Sequence, residues 1–256
     1  MPANDTNTSE EVPDQRSAVR EEYGTIATTG EQCCQPASGN AAVDDRTLGL
    51  GYDSKDVETA PAESNLGLGC GNPVALSNLE PGEIVLDLGS GGGFDCFLAA
   101  EEVGPAGHVI GVDMTPEMLD RARKNAAESD RSNVEFRLGE IEHLPVADSS
   151  VDVVISNCVL TLSPATADVL AEAFRVLRPG GRLSISDLVV SDPIPTPERP
   201  AGGNCAGNPD SIAEYERWLA DVGFEAISVT VESEWSDTDG EVPVVSARVE
   251  AKKPPV

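Results

Sequence analysis

A chain of 256 residues with 45 acidic and 17 basic side chains has a formal net charge of -28. It is long enough for one sizeable core, and its charge repels phosphate, so DNA and RNA are not expected as partners. No segment approaches the roughly 18 unbroken apolar residues of a membrane span. The amino terminus, MPANDTNTSEEVPDQ, has neither the basic region nor the apolar stretch of an export signal, so a cytoplasmic protein with no membrane partner is expected. The acidic residues are spread along the chain and Arg outnumbers Lys, a pattern suited to concentrated salt and hence to a halophilic source.

Residues 1–16 are polar and turn-rich and read as a disordered lead-in. A short helix is predicted from Ser17 to Ala27, followed by a Gly- and Asp-rich loop region reaching about residue 73. From there apolar runs read as buried strands at Ile84 to Leu88, Val109 to Val112, Val134 to Leu138, Val151 to Ser156 and Leu183 to Val190. Between them, apolar residues at three- and four-residue spacing predict helices at Phe94 to Val103, Pro116 to Ser129 and Ala165 to Leu177. Arg178-Pro179-Gly180-Gly181 is expected to break the chain before the fifth strand. A proline-rich loop from Asp192 to Pro209 precedes a helix from Ser211 to Val222, closed by Gly223, and two strands around Ala226 to Glu232 and Val244 to Ala251. Strand and helix alternating in this way give an α/β fold with a doubly wound, mostly parallel sheet.

The first strand runs into Asp87-Leu88-Gly89-Ser90-Gly91-Gly92-Gly93, a turn where missing side chains let a ligand approach the backbone at a helix amino terminus. A dinucleotide fingerprint would need its third glycine where Phe94 stands; the spacing here is GxGxG. Asp113 closes the second strand, where a carboxylate can accept both hydroxyls of a ribose, and Asp87 sits just before the glycines. These residues resemble the class I S-adenosylmethionine methyltransferases over about residues 80 to 190, which implies a seven-stranded sheet and S-adenosylmethionine as cofactor. The resemblance places Asp87, Gly89, Ser90, Gly91 and Gly93 at the cofactor, Asp113 and Met114 beside its ribose and adenine, Gly139, Glu140 and Ile141 along the adenine, and Asn157 at the same sheet edge.

Six cysteines stand at 33, 34, 70, 96, 158 and 205. Without an export signal a disulfide framework is a poor explanation, and the absence of a CxxC pair disfavours a zinc ribbon. Cys158 follows the fourth strand directly, and Cys70 and Cys205 lie in loops that can reach the same edge, whereas Cys96 falls in the first helix of the sheet region and reads as core.

Leu68-Gly69-Cys70-Gly71-Asn72-Pro73, the stretch from Val85 to Asp95, Gly111-Val112-Asp113-Met114-Thr115, Asn133 to Arg137 with Gly139 to Glu142, and Ser156-Asn157-Cys158-Val159 together resemble the arsenite methyltransferases, as do Tyr23-Gly24 and the paired Cys33-Cys34. Similarity extends from about residue 19 to 224. The resemblance implies As(III) held as substrate on Cys70, Cys158 and Cys205, with Cys33 or Cys34 as an accessory thiol. Around Cys205 the match is thinner, since Ala206-Gly207-Asn208-Pro209 replaces the family's small and apolar residues. It also implies arsenite or its thiol conjugates as substrate, a thioredoxin or glutathione-type reductant, and a role in arsenic detoxification; a monomer is expected. The segments are then a lead-in (1–16), a cysteine-bearing segment (17–73), a cofactor-binding Rossmann-like domain (74–191) and an arsenic-binding loop, helix and final strands (192–256).

Trivalent arsenic is soft, so thiolates displace its oxygen ligands, and its lone pair remains as the nucleophile. No general base is needed, and His108 and His143, the only histidines, need no role beyond strand end or surface. Asp187 is open between lining the cavity and a solvated or capping position. A C- or O-methyltransferase of small molecules would share the cofactor half but leave four cysteines unused; a metalloid-binding protein without turnover would have no use for the glycine loop.

Overall fold

The computed structural model describes residues 14–30, 40–129, 131–191, 209–234 and 243–255. Helix α1 spans Gln15–Thr29, longer at both ends than its sequence suggests, and stops at Gly30 in a left-handed conformation (φ 73°). The region expected to be loop up to residue 73 is instead largely helical, with α2 at Asn40–Gly49, α3 at Ser54–Thr59, a 3-10 turn at Ala62–Ser64 and α4 at Pro73–Leu76. Local caps explain these short helices. Asp53 and Asp56 form a reciprocal capping box on α3, while Asn72 accepts from the Ala75 amide ahead of Pro73 at the first position of α4.

Buried aliphatic runs form strands β1 (Ile84–Leu88), β2 (His108–Asp113), β3 (Val134–Leu138) and β4 (Val151–Asn157), with α5 (Phe94–Val103) and α6 (Pro116–Glu128) as crossovers between the first three. Helix α7 (Thr166–Val176) leads into β5 (Leu177–Val190). The two-residue strand β6 (Asp210–Ser211), α8 (Ile212–Val222), β7 (Glu225–Glu234) and β8 (Val244–Lys252) complete the chain. The sheet order is β3-β2-β1-β4-β5-β8-β7, with β6 alongside β5. Strands β1 to β5 are parallel, and β8 is antiparallel to both β5 and β7. The carboxyl-terminal segment therefore completes the same sheet.

Strand β5 begins six residues earlier than its apolar run suggests. The Arg178-Pro179-Gly180-Gly181 stretch does not end the strand: Val151 pairs with Leu177 and Val153 with Arg182, so these four residues loop out opposite Asp152. Arg178 Nη1 bonds Asp152 at 2.7 Å, and the Gly180 amide donates to Lys253 O.

Alternation along β1 sends Leu86 and Leu88 to one face, packed with Leu170, Ile185, Tyr215 and Leu219, and Val85 to the other with Phe97, Leu119 and Phe136. Helices α7 and α8 cover the first face, α5 and α6 the second. Because strand order reverses between β1 and β4, a crevice opens at their carboxyl ends, and α1 packs over it with Ile26 and Ala27 against Met118 of α6.

Candidate active site

The crevice is walled by the turn after β1, the ends of β2 and β4, and α1. Gly89, Gly91 and Gly93 all have positive φ (70°, 50° and 93°). At Gly89 a Cβ would stand 2.5 Å from Val159 Cγ2, and at Gly92 2.9 Å from Ser64 O, so both the turn and its close neighbours require glycine. The Gly89 and Ser90 amides donate to Val112 O at 2.8 and 3.0 Å. Ser90 Oγ is buried with no hydrogen-bond partner and packs over β2, 2.7 Å from where a Cβ on Gly111 would stand.

Acidic side chains ring the cleft. Asp113 accepts the Gly91 amide (2.9 Å) on one oxygen and the Thr115 amide (2.8 Å) on the other; burial pushes its carboxyl up against those two bonds. Asp87 accepts the Cys96 thiol at 3.2 Å and is pushed well above the usual carboxylate range by burial. Met114, Ile141 and Asn157 also line the cleft. Gly139 and Glu140 stand outside that lining: Gly139 packs under Pro145, and Glu140 reaches Arg20 of α1 at 3.5 Å. Arg16 of the same helix pairs with Glu142 at 3.3 Å, and Gln15 donates to Leu162 O at 3.0 Å, so α1 is tied to the cleft mouth from both sides.

Two cleft residues escaped the sequence reading. Tyr52 donates to Asp95 at 2.6 Å, and Asn157 Nδ2 donates to Tyr52 Oη at 2.8 Å and to Gly71 O at 2.8 Å. Burial pushes the Asp95 carboxyl up to about 6. The one available signal was an acid in the first turn after the glycine loop; Tyr52 carried none.

At the inner end of the cleft lie two thiols. Cys158 directly follows β4 in a left-handed conformation (φ 58°), its amide donating to Ser186 O at 2.7 Å. Cys70 is held in place by Asn157, whose Oδ1 accepts its amide at 2.9 Å, and by Ser246, whose hydroxyl donates to Cys70 O at 2.6 Å. The Cys70 and Cys158 sulfurs and a carboxylate oxygen of Asp187 all lie within 4.8 Å of one another, enclosed by Leu188, Val190 and Val244. Neither sulfur is in a disulfide. Asp187 is wholly buried, which excludes the solvated placement, and it stands outside the cleft lining; its oxygens accept from the Leu188 amide (2.8 Å), the Thr161 amide (3.2 Å) and Tyr215 Oη (2.9 Å). Burial nevertheless lifts its carboxyl to about 7.

Cys96, on the inner side of α5, is fully buried in the core. His108 lies near Glu135 at the start of β2, and His143 is exposed. Cys33, Cys34 and Cys205 lie outside the described residues.

Residues 79–222 match the family described as a methyltransferase domain. The chain is 47% identical to the arsenite methyltransferase of Halobacterium salinarum over 98% of its own length and 70% of that protein's. It is 42% identical to the human arsenite methyltransferase over 55% of this chain and 40% of that one. In structure it resembles an arsenic(III) S-adenosylmethionine methyltransferase from Chlamydomonas reinhardtii, with a TM-score of 0.67 and 35% identity over 82% of this chain and 74% of that one.

Proposed function

The chain belongs to the arsenite methyltransferase family, and from that premise we propose that it transfers the methyl group of S-adenosylmethionine to As(III) held on Cys70, Cys158 and Cys205, in arsenic detoxification. The observation that carries the reading is the pair of buried thiols, 88 positions apart in sequence, brought together beside a glycine-walled cleft.

The cleft fits that cofactor. Gly89, Ser90, Gly91 and Gly92 of the turn line it, and Asp87, Asp95 and Asp113 in the same lining supply negative charge for a sulfonium and an ammonium group. When bound, S-adenosylmethionine supplies an electrophilic methyl group. Asp113 would orient the ribose, Asp87 the amino-acid end, and Met114 and Ile141 the adenine, with Gly139 and Glu140 shaping the turn behind it.

Thiolates from Cys70 and Cys158 displace two oxygen ligands of arsenite, and a third from Cys205 completes the pyramid. The metal-like softness of arsenic makes sulfur the favoured donor. Arsenic carries no proton, so these residues need only hold and aim its lone pair, and positioning supplies much of the rate. Asn157 acts through Cys70, fixing its loop. Cys33 or Cys34 would exchange thiols with Cys70, with a thioredoxin or glutathione-type reductant restoring them. The described residues contain no helix long and apolar enough to cross a membrane, and a monomer working in the cytoplasm of a salt-loving cell accounts for the acidic composition.

The test is incubation at high salt with arsenite, a thiol reductant and S-adenosylmethionine, following methylated arsenic species beside a Cys158→Ser variant. Methylarsenicals from the parent and none from the variant are expected. Tight arsenite binding without methylation would turn the reading to a sequestering protein, and no arsenite binding to an organic substrate.

A further inference from the structure

Beside the two thiols the structure places a third donor that arsenic chemistry does not ask for. A carboxylate oxygen is hard, and As(III) prefers sulfur at every position, yet the Asp187 carboxylate lies within 4.8 Å of both sulfurs with no solvent exposure. We propose that Cys70, Cys158 and Asp187 form a three-ligand site for a borderline divalent cation of the zinc class, which competes with arsenite for the two sulfurs.

The geometry is close to what such an ion needs. Tetrahedral zinc holds sulfur at about 2.3 Å and oxygen at about 2.0–2.2 Å, which spaces neighbouring donors about 3.5–3.8 Å apart. From a separation of at most 4.8 Å, a closure of no more than about 1.3 Å brings this trio to that spacing. Three donors leave a fourth position for water, and Cys158 lines the cleft through which an ion and its water can enter. No CxxC pair is required, because the ligands come from the loop before α4, the residue after β4 and the carboxyl-terminal part of β5.

The surroundings suit a metal ligand. A carboxylate offers about four lone-pair positions. Three on Asp187 are taken by the Leu188 amide, the Thr161 amide and Tyr215 Oη, which leaves one and fixes the direction in which it points. Such outer hydrogen bonds are what orient ligating carboxylates. Cys70 is braced by Asn157 and Ser246, and Cys158 by the Ser186 carbonyl.

Bonding to the carboxylate distinguishes the ligands. In an apolar shell of Leu188, Val190 and Val244 a buried carboxylate needs a partner. A dication cancels two of the three negative charges and bonds all three donors, whereas arsenic held on the two sulfurs leaves the carboxylate without a bond. Loading releases the two thiol protons to solvent as the metal–sulfur bonds form. A cation seated there occupies the sulfurs that arsenic would use, so it blocks arsenite until removed.

The test uses the full, reduced chain and Zn2+ alone, titrated against a chromophoric chelator. One equivalent is expected to bind. Cys158→Ser and Asp187→Asn should each weaken it by more than about 100-fold, while the combined Cys33→Ser, Cys34→Ser protein should bind as the parent does. Co2+ in the intact parent should show tetrahedral d–d bands with thiolate charge transfer, a readout that does not depend on any variant folding. Absence of zinc binding, binding indifferent to Asp187→Asn in a folded variant, loss in the combined variant, or an octahedral cobalt spectrum would each overturn the inference. Methylation without zinc binding would sink this site alone, and zinc binding without methylation would leave it standing while the proposed activity fails.

Discussion

Asn157 shows how one side chain can set the distance between groups far apart in sequence. Its amide spans Cys70 N, Gly71 O, Tyr52 Oη and Asp95 Oδ2, so Asn157→Ala orphans the Cys70 amide and frees the loop that carries the sulfur. We expect arsenite affinity to fall about 10- to 100-fold and stability by about 1–3 kcal/mol, the first measured by titration of thiolate–arsenic absorption and the second by denaturant unfolding. Unchanged arsenite affinity would show that the loop holds itself. The buried carboxylates make a second residue-scale prediction. Burial raises Asp87, Asp95 (to about 6) and Asp113 above the value of 3.8 that they have when unfolded. Between those limits the folded chain binds more protons, so stability falls as pH rises. Glu135 and Glu172 work in the opposite sense, since hydrogen bonds from Arg137 and Arg175 lower them from 4.5, but their window lies below that value. Without cofactor, the unfolding free energy should be larger at about pH 5 than at about pH 8, and Asp95→Asn should flatten the difference; a protein more stable at the higher pH would refute the assignment. Motif residues at strand ends were legible because each has a local signature, as Gly89 and Asp113 do. Tyr52 was not, since its partners Asp95 and Asn157 lie 43 and 105 positions away and nothing local marks it, and the placement of Asp187 stayed open because Thr161 and Tyr215, which fix it, lie 26 and 28 positions away.

Among the elements, β1, β3 and α5 fall at the limits read from the sequence, because an apolar run bounded by glycine or by a polar turn leaves the chain few choices. The segment from residue 40 to 76 hid its helices. They are four to ten residues long, too short for a 3.6-residue pattern to repeat, and their caps use aspartate and asparagine, which also favour turns. Strand β5 hid its start for a related reason: proline and two glycines ordinarily end a strand, and only pairing with β4 and Lys253 carries it past them. Helix α8 was legible at both ends, from Ser211 at its amino terminus to Gly223 (φ 105°) at its close. Its capping box also bears on the site, because the Ser211 hydroxyl meets Glu214 and the following residue, Tyr215, donates to Asp187. Ser211→Ala should cost about 1 kcal/mol, seen as a melting temperature lower by roughly 2–4 °C for a chain of this size. A shift within error would mean that β6 pairing and core burial of Tyr215 hold the helix start without the cap.

The net charge of -28 belongs to the whole molecule, and it sets two salt effects against each other. Ion pairs such as Arg121 with Glu63 and Arg131 with Glu101 tie surface segments together, and added salt weakens them; but one partner in each is half exposed or more, and exposed pairs contribute only about 0–1 kcal/mol apiece. Repulsion among the excess carboxylates acts over the entire surface, because the screening length is about 10 Å at 0.1 M salt and about 3 Å at 1 M. Repulsion therefore outweighs the ion pairs, and stability should rise with potassium chloride, steeply up to about 1 M and little beyond, where screening is already complete. Denaturation by urea, which adds no charge, at a series of chloride concentrations measures this directly. A rise that continues undiminished past about 1 M would point instead to exclusion of salt from the protein surface, which a stronger dependence on sulfate than on chloride would identify. A flat or falling curve would mean that the unfolded chain feels the same repulsion as the folded one, and the acidic surface would then concern solubility rather than folding.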